Sequence, residues 1–520
     1  MAIAVAGPFC FVPVAETDIG WHLALGRLIV HQGLPHTNSL AWTQPDHPFY
    51  ATSWLFDVAA WAATSQWGLA GLQALTFMLL AGTLIGVTVA CAAVSSQALW
   101  VPAAVASLVV PRVTPRPHMA SWLLLAVCLA LCLWAFKGRG WLRALCVPLI
   151  ALGSNLHAGA MFSTVVLGVF CLEALWRERR WARELAIGAA GGLALMVNPG
   201  GPYNVWYMAT HLKLYDAIPI QELQSPKLGE LPAFWALILP AVALAIVARK
   251  QTPALMAAVA LFAVAGAFAA RLAFKFYVVA GPAFAAGAEA LKPRQARALA
   301  AAVLVLGASA NASRYARLEL APRWDEHELP VRAVAFIREH ALGGRFYNSF
   351  GDGGYLTWEL PDRPVFQDAR ALAYSHDFYG RQLAAEGSPE RFEALMGSLQ
   401  VDWALTSATP GALTGAGLLT DQRWALVYWD DLSEIRVRRD GPLASLLPLE
   451  FRVLRPDRTP EQLLAAIGGA SDETLAQALD ELARLRRAAP SPELLAMFEC
   501  AFAARRGGTP TRACAAGGHL

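Results

Sequence analysis

Up to about residue 312 the chain alternates short polar connections with apolar stretches long enough, or nearly long enough, to cross a bilayer. The stretches lie at 71–94, 97–111, 119–136, 144–155, 158–176, 184–198, 232–248, 253–270, 272–290 and 297–312. With an opening stretch at 2–15 they make about eleven spans of a polytopic α-helical membrane protein. That opening stretch, AIAVAGPFCFVPVA, is shorter than the ~20 residues a span needs, holds Pro8 and Pro13, and lacks the basic residues that begin a signal peptide. A start upstream of residue 1 is therefore expected. Segment 54–67, WLFDVAAWAATSQW, fits either an interfacial helix or a further span.

Basic residues set the sidedness. Lys137, Arg139 and Arg143, then Arg177, Arg179, Arg180 and Arg183, then Arg249 and Lys250, and finally Lys292, Arg294 and Arg297 cluster between apolar stretches. The positive-inside rule puts each cluster in the cytoplasm. Loops 16–53, 112–118 and 199–231, and everything after 312, then fall outside. Loop 16–53 carries Trp21, Trp42, Phe49, Tyr50 and Trp54 among His and Asp, a composition suited to the headgroup region. Within it GWHLALGRLIVHQG reads as a short amphipathic helix ended by Gly33 and Pro35.

From about residue 313 the spacing of apolar positions changes to that of a small soluble α/β domain, 313–457. A helix VRAVAFIREH precedes a strand-like GRFYNSF, a turn GDGG and a short YLTWEL. A strand RPVFQD, a helix RFEALMGSL, a strand VDWALTS and an antiparallel pair WALVYWD and SEIRVRR follow. Residues 458–506 read as a helical hairpin tail, similar to tetratricopeptide packing and a surface for a protein partner, and 507–520 as disordered.

Composition agrees with the pattern. Hydrophobic residues make up 56% of 520 and charged residues 16%, too apolar for one water-soluble globule. A formal net charge of +3, spread along the chain, excludes a nucleic-acid surface. Six of the eight cysteines sit in apolar runs as small hydrophobes, and Cys500 and Cys514 lack metal-ligand spacing.

The order of motifs resembles bacterial membrane glycosyltransferase-like proteins of the GT-C fold that carry a C-terminal periplasmic domain. The resemblance rests on DIGWHLALG (Asp18 to Gly26), on Pro35, His36, Thr37 and Thr43, and on the helix start Trp54 to Phe56. It continues in Arg116 with Pro117, in Asn155, His157 and Gly159, in Asn198 to Gly201, and in GDGGYLTWELPDRPVFQDAR. Two departures stand out: Thr52 and Ser53 occupy the place of a His-Glu pair, and the soluble motif ends Asp368, Ala369, Arg370 instead of Asp-Gly-Arg. The resemblance implies a bacterial inner-membrane enzyme, with residues 1–312 as the transmembrane domain, that moves a sugar from a polyprenyl phosphate to an extracytoplasmic acceptor. The acceptor class, whether glycan, lipid or protein, stays open.

That chemistry needs a base for the acceptor hydroxyl and cationic groups for the departing phosphate. Asp18 is the expected base, with an N-cap for the helix after it as the plain alternative. His22, one turn on, is expected to orient Asp18 or to help hold the phosphate; as an interfacial imidazole it would do neither. Asp57 and Glu222 are second-choice carboxylates. For the phosphate the candidates are Arg116, His118, Asn155, His157, Glu222 and Arg271, because ionisable groups at membrane depth are costly enough to imply function. Snorkelling of Arg271, and satisfaction of broken backbone hydrogen bonds by Asn155 or His157, compete with that reading. No cofactor is expected, since the lipid-linked sugar is substrate. His22, His31, His36 and His47 share a loop with Asp18 and Asp46, yet without the spacing of a ligand set, so a divalent metal is not favoured. A non-catalytic module for lipid-glycan binding or envelope assembly is the second reading, supported by the lost His-Glu pair. A transporter would need inverted internal repeats, and none is visible.

Overall fold

The structure, a computed structural model, describes residues 1–96, 100–203, 205–206, 221–248, 253–408, 419, 422–456, 458, 460–488, 495, 498–499 and 502. The chain divides into two compact units. Unit 1 holds Met1–Thr37 and Pro48–Arg323, and unit 2 holds Asn38–His47 and Trp324–Leu520.

Unit 1 is helical. Its elements run α1 (Ala2–Ala6), α2 (Asp18–Gln32), α3 (Trp54–Val94), α4 (Val101–Val109), α5 (His118–Ala135), α6 (Cys146–Leu156) and α7 (Ala160–Glu178). They continue as α8 (Trp181–Ala194), α9 (Pro232–Ala248), α10 (Pro253–Phe268), α11 (Ala270–Glu289), α12 (Pro293–Ala310) and the short α13 (Ala312–Ala316). Among the described residues, α3, α5 and α7 are long and apolar enough to cross a membrane, and 101–112, 140–156, 232–247 and 253–268 are shorter apolar helices. Unit 1 is thus a bundle of helices with the length and apolar composition of membrane spans, and unit 2 is a small mixed-sheet unit. Trp122, Phe170, Phe234, Phe262 and Phe276 are fully buried between these helices, while Met78, Ile85 and Leu172 are exposed on their outer faces.

Three local features answer the sequence pattern. Pro8 sits in a 3₁₀ turn, Gly7–Cys10, that follows α1, so the opening stretch is helical only in pieces. The 54–67 segment forms the first part of α3, which breaks at Trp67 (φ −131°, ψ 17°) and Gly68 (φ +60°) before 71–94 continues it. Finally, Arg143 and Arg183 of the basic clusters are paired inside the bundle end. Arg143 is fully buried, its Nε donating to Glu184 at 2.8 Å and its NH2 to Glu178 at 2.7 Å.

Unit 2 is built on four strands, β1 (Phe346–Asn348), β2 (Trp403–Ser407), β3 (Trp424–Trp429) and β4 (Ser433–Arg438), in the order β1-β2-β4-β3. β1 and β2 are parallel, and β4 is antiparallel to both of its neighbours. The helices α14 (Val331–Glu339), α15 (Gly353–Glu359), α16 (His376–Glu386), α17 (Pro389–Ser398), α18 (Pro460–Gly468) and α19 (Asp472–Ala488) complete the unit. WALVYW is apolar almost throughout because β3 is covered on both faces. Val334 and Ile337 of α14 lie in the core on one side, and Ile467, Leu482 and Leu485 pack with Leu426 and Trp429 on the other. Burial of each such side chain stabilises the unit by ~1.5–3 kcal/mol.

The expected strand RPVFQD is not a strand of the sheet. Val365 instead makes a single parallel bridge to Ala41, its N–H donating to Leu40 and its carbonyl accepting from Trp42, both at 3.0 Å. YLTWEL is helical, within α15. The glycines of GDGG are absent from the positive-φ positions, so left-handed geometry is not their role. Gly353 is required by close approach, since a Cβ there would lie 1.9 Å from the Gln367 carbonyl oxygen. The end of the expected helical tail lies largely outside the described residues, as do Cys500, Cys514 and the segment 507–520 that the sequence reads as disordered.

Candidate functional site

Close backbone approach creates the first half of the site. α2 crosses α3 at Gly26, where a Cβ would stand 2.1 Å from the Asp57 carbonyl oxygen. One turn earlier on α2, His22 therefore meets Asp57: its Nδ1 lies 2.6 Å from Asp57 Oδ1. The Ser53 hydroxyl donates to the same oxygen at 3.1 Å. Asp57 is fully buried and His22 is 4% exposed, with the Trp21 ring 3.5 Å from its centroid and Phe56 edge-on. Because the carboxylate can only accept, Nδ1 carries the proton and Nε2 is left without a hydrogen-bond partner among the described residues. His22 is thus paired with Asp57 and not with Asp18.

The second half gathers around Arg116, in the turn before α5. Its guanidinium contacts Asp18, lies 3.2 Å from Glu16 Oε1, and lies 3.5 Å from Glu222 Oε1. Arg112 contacts Glu222 as well. Asp18 occupies the first turn of α2, whose N-cap is Thr17, so Asp18 is not a capping residue. His118 donates from Nε2 to the Arg112 carbonyl at 3.0 Å and packs edge-on against Trp122.

A third group lies at the α6–α7 turn and the start of α11. His157 Nδ1 accepts from the Gly159 N–H at 3.0 Å and sits 2.6 Å from Ser121 Oγ. Asn155 is used up locally: it accepts from Trp54 Nε1 at 2.7 Å and donates to the Ala151 and Val197 carbonyls. That supports the reading in which it satisfies backbone groups at a helix end. Arg271 opens α11, and Lys275 follows one turn later, 4% exposed, with its ammonium 4.8 Å from the Phe162 ring centre. Arg116, Arg271, Lys275 and His22 all lie within Coulombic reach of His157, and Arg271 and Lys275 of Arg112. Among the described residues neither Arg271 nor Lys275 has an ion-pair partner.

The structure therefore brings Asp18, His22, Arg116, His118, His157, Glu222 and Arg271 into one charged region of unit 1 and gives Asn155 a local task. Sequence reasoning missed Glu16 and Lys275. Lys275 was findable, as a lone ammonium one helical turn from Arg271 inside LAFKFYV. Among the described residues no group of three His, Cys, Asp or Glu converges in a way that could hold a metal ion. His22 is spent on Asp57, and His31 packs edge-on against Trp61.

Unit 2 carries a separate buried cluster. Arg370 grips Asp368 through Nε and NH2 at 2.7–3.1 Å and donates to Asn38 Oδ1 at 2.7 Å. Asn38 donates onward to the Ala373 carbonyl, and Tyr374 accepts from the Asp368 N–H. Burial alone would lower the guanidinium pKa, but the Asp368 carboxylate outweighs it and holds Arg370 above its ordinary value. Segment 38–47 is fixed in unit 2 by this pair, by the Ala41 bridge and by Thr43 donating to the Phe366 carbonyl at 2.6 Å.

No protein-family profile and no curated protein matches the chain. Solved structures of similar fold include the archaeal oligosaccharyltransferase AglB from Archaeoglobus fulgidus in complex with an inhibitory peptide and a dolichol-phosphate. The two share 10% identity and a TM-score of 0.57 over 97% of this chain and 83% of that one. The apo form of the Archaeoglobus fulgidus oligosaccharyltransferase gives 11% identity and a TM-score of 0.55 over 98% and 83%. ArnT from Cupriavidus metallidurans in the apo state gives 15% identity and a TM-score of 0.47 over 87% and 98%. At these identities the likeness to the oligosaccharyltransferase is one of fold.

Proposed function

We propose that the chain is a membrane glycosyltransferase that moves a sugar from a polyprenyl-phosphate donor to an acceptor on the extracytoplasmic face of a bacterial inner membrane. The observation that carries this reading is the convergence of Arg112, Arg116, Arg271 and Lys275 at helix ends of a GT-C-like bundle. A departing phosphate needs several fixed cations in a site shielded from water, where each is worth more than in solution. Arg116 has the fork that matches phosphate oxygens, and Lys275 adds a point charge. The dolichol-phosphate bound to the Archaeoglobus fulgidus protein of this fold supports a polyprenyl phosphate as the donor's lipid.

In this reading Glu16, Asp18 and Glu222 are counter-ions of Arg112 and Arg116 that give way when phosphate enters. Two groups can take the acceptor's proton: Asp18, the base expected from the sequence, and His22. No cofactor is required, since the donor supplies the leaving group. The test uses purified full-length protein in lipid nanodiscs and polyprenyl phosphates carrying labelled hexose, pentose or N-acetylhexosamine. Release of polyprenyl phosphate reports transfer whichever acceptor is used, water included. Wild-type release that Arg116→Gln reduces supports the transferase. Donor binding without release would make the chain a lipid-glycan binding module instead.

A further inference from the structure

We infer that the acceptor's proton goes to Nε2 of His22, with Asp57 as the positioning residue behind it. The inference rests on the transferase reading and names the proton acceptor within the same site. Asp18, the other candidate, is held by Arg116, and a carboxylate bound to a guanidinium is a weaker base than a free one. Its ordinary pKa of about 3.9 already places it far below an imidazole at about 6.5, which is matched to proton transfer near neutral pH.

The geometry around His22 is that of a directed base. Nδ1 donates to Asp57 Oδ1 at 2.6 Å, which fixes both the ring and its tautomer and leaves the Nε2 lone pair as the reactive one. Asp57 is fully buried and is steadied by Ser53, so its negative charge is set to stabilise the imidazolium as it forms. Trp21 against the ring and Gly26 at the helix crossing hold the imidazole where it is. His22 lies one helical turn after Asp18 on α2, and Asp18 contacts Arg116, so base and phosphate cations belong to one region.

The step balances as a single displacement. The acceptor O–H bond breaks and its proton moves to His22 Nε2. The acceptor oxygen forms the new bond to the sugar's anomeric carbon. The bond from that carbon to the phosphate oxygen breaks, and its electron pair leaves with the polyprenyl phosphate toward Arg116. His22 then returns the proton to solvent.

The experiment measures polyprenyl phosphate release by the full-length protein in nanodiscs for wild type, His22→Ala, His22→Gln, Asp57→Asn and Asp18→Asn. Binding of polyprenyl phosphate is read separately by tryptophan fluorescence. His22→Ala is expected to lose about 10²–10⁴ in turnover while binding the lipid within about twofold of wild type, and added imidazole should restore at least about tenfold. His22→Gln keeps a donor toward Asp57 Oδ1, and so the α2–α3 contact, but has no base; it should be as slow and not rescued. Asp57→Asn should fall in between, and the loss of turnover in Asp18→Asn, which removes a counter-ion of Arg116, should be smaller than that in His22→Gln.

A normally active His22→Gln, or a His22→Ala defect that imidazole does not repair, would reduce the pair to a clamp between helices and overturn the inference. Loss of turnover in Asp18→Asn with a normal His22→Gln would return the role to Asp18 and leave the transferase reading standing. Absence of release by wild type from every donor would remove the reading and the inference together.

Discussion

The Asp368–Arg370 pair of unit 2 and the Arg116 cluster of unit 1 are both guanidinium–carboxylate assemblies away from bulk water, and they differ in closure. In unit 2 the guanidinium has a two-pronged carboxylate and an amide oxygen, and the amide and a tyrosine hydroxyl tie the rest to backbone. A fully satisfied network of this kind fixes a loop and leaves nothing to offer a ligand. In unit 1 three carboxylates crowd two arginines, while Arg271 and Lys275 nearby have no ion-pair partner among the described residues. A region holding cations that the protein itself does not neutralise is the one suited to an anion from outside. Closure, more than burial or residue type, separates the two charge clusters.

The contrast can be broken most severely at Arg370. Arg370→Ala leaves Asp368 buried and unpaired, which should cost unit 2 ~3–5 kcal/mol and lower its melting temperature. Polyprenyl phosphate affinity, measured on the protein that remains folded, should not change. Arg116→Gln should do the reverse: roughly a tenfold to hundredfold weaker affinity for polyprenyl phosphate, from loss of a charge-assisted pair worth ~1.5–3 kcal/mol, with little change in melting. Similar behaviour of the two variants would mean that the two clusters do the same job.

Lys275→Met sharpens the distinction further. It removes a buried charge that has no ion-pair partner among the described residues, so stability should hold or rise while affinity for the anionic lipid falls by about tenfold. A destabilised Lys275→Met would show the ammonium to be structural after all. The smallest effect is expected at Glu450 of unit 2. Burial alone would raise its pKa, but hydrogen bonds from Arg439 and Arg452 outweigh that and hold it below its ordinary value. A depressed carboxylate contributes stability above its unfolded pKa and loses it as pH falls through the folded one. Denaturation of the wild type should therefore steepen below about pH 4.3, and Glu450→Gln should flatten that limb without affecting the neutral range.

Much of the architecture was legible because its signals are local. Hydropathy located the long helices, and short β-prone runs between turn signals located β2, β3 and β4, since such a run needs no knowledge of its partner. RPVFQD failed as a strand for the converse reason. Its residues are β-prone, but its partner is Ala41, more than three hundred residues earlier in sequence, and the pairing is a single bridge. GDGG was read as a turn, though the steric reason for Gly353 lies in Gln367, fourteen residues on. Among site residues, Arg116, Arg271 and Asp18 announced themselves as charges beside apolar spans, whereas the partner of His22 did not.

The sequence by itself determined that this chain folds in lipid and in water in succession, because hydropathy averaged over one helix is independent of what the helix packs against. It determined too which ionisable groups are too costly to bury without purpose. Only the tertiary structure decided how those groups are shared out: His22 to Asp57 across the Gly26 crossing, Asp18 to Arg116, and Asn38 to Arg370 in the other unit. Pairing depends on distances of a few ångströms between elements tens to hundreds of residues apart, and no local pattern encodes a distance of that kind.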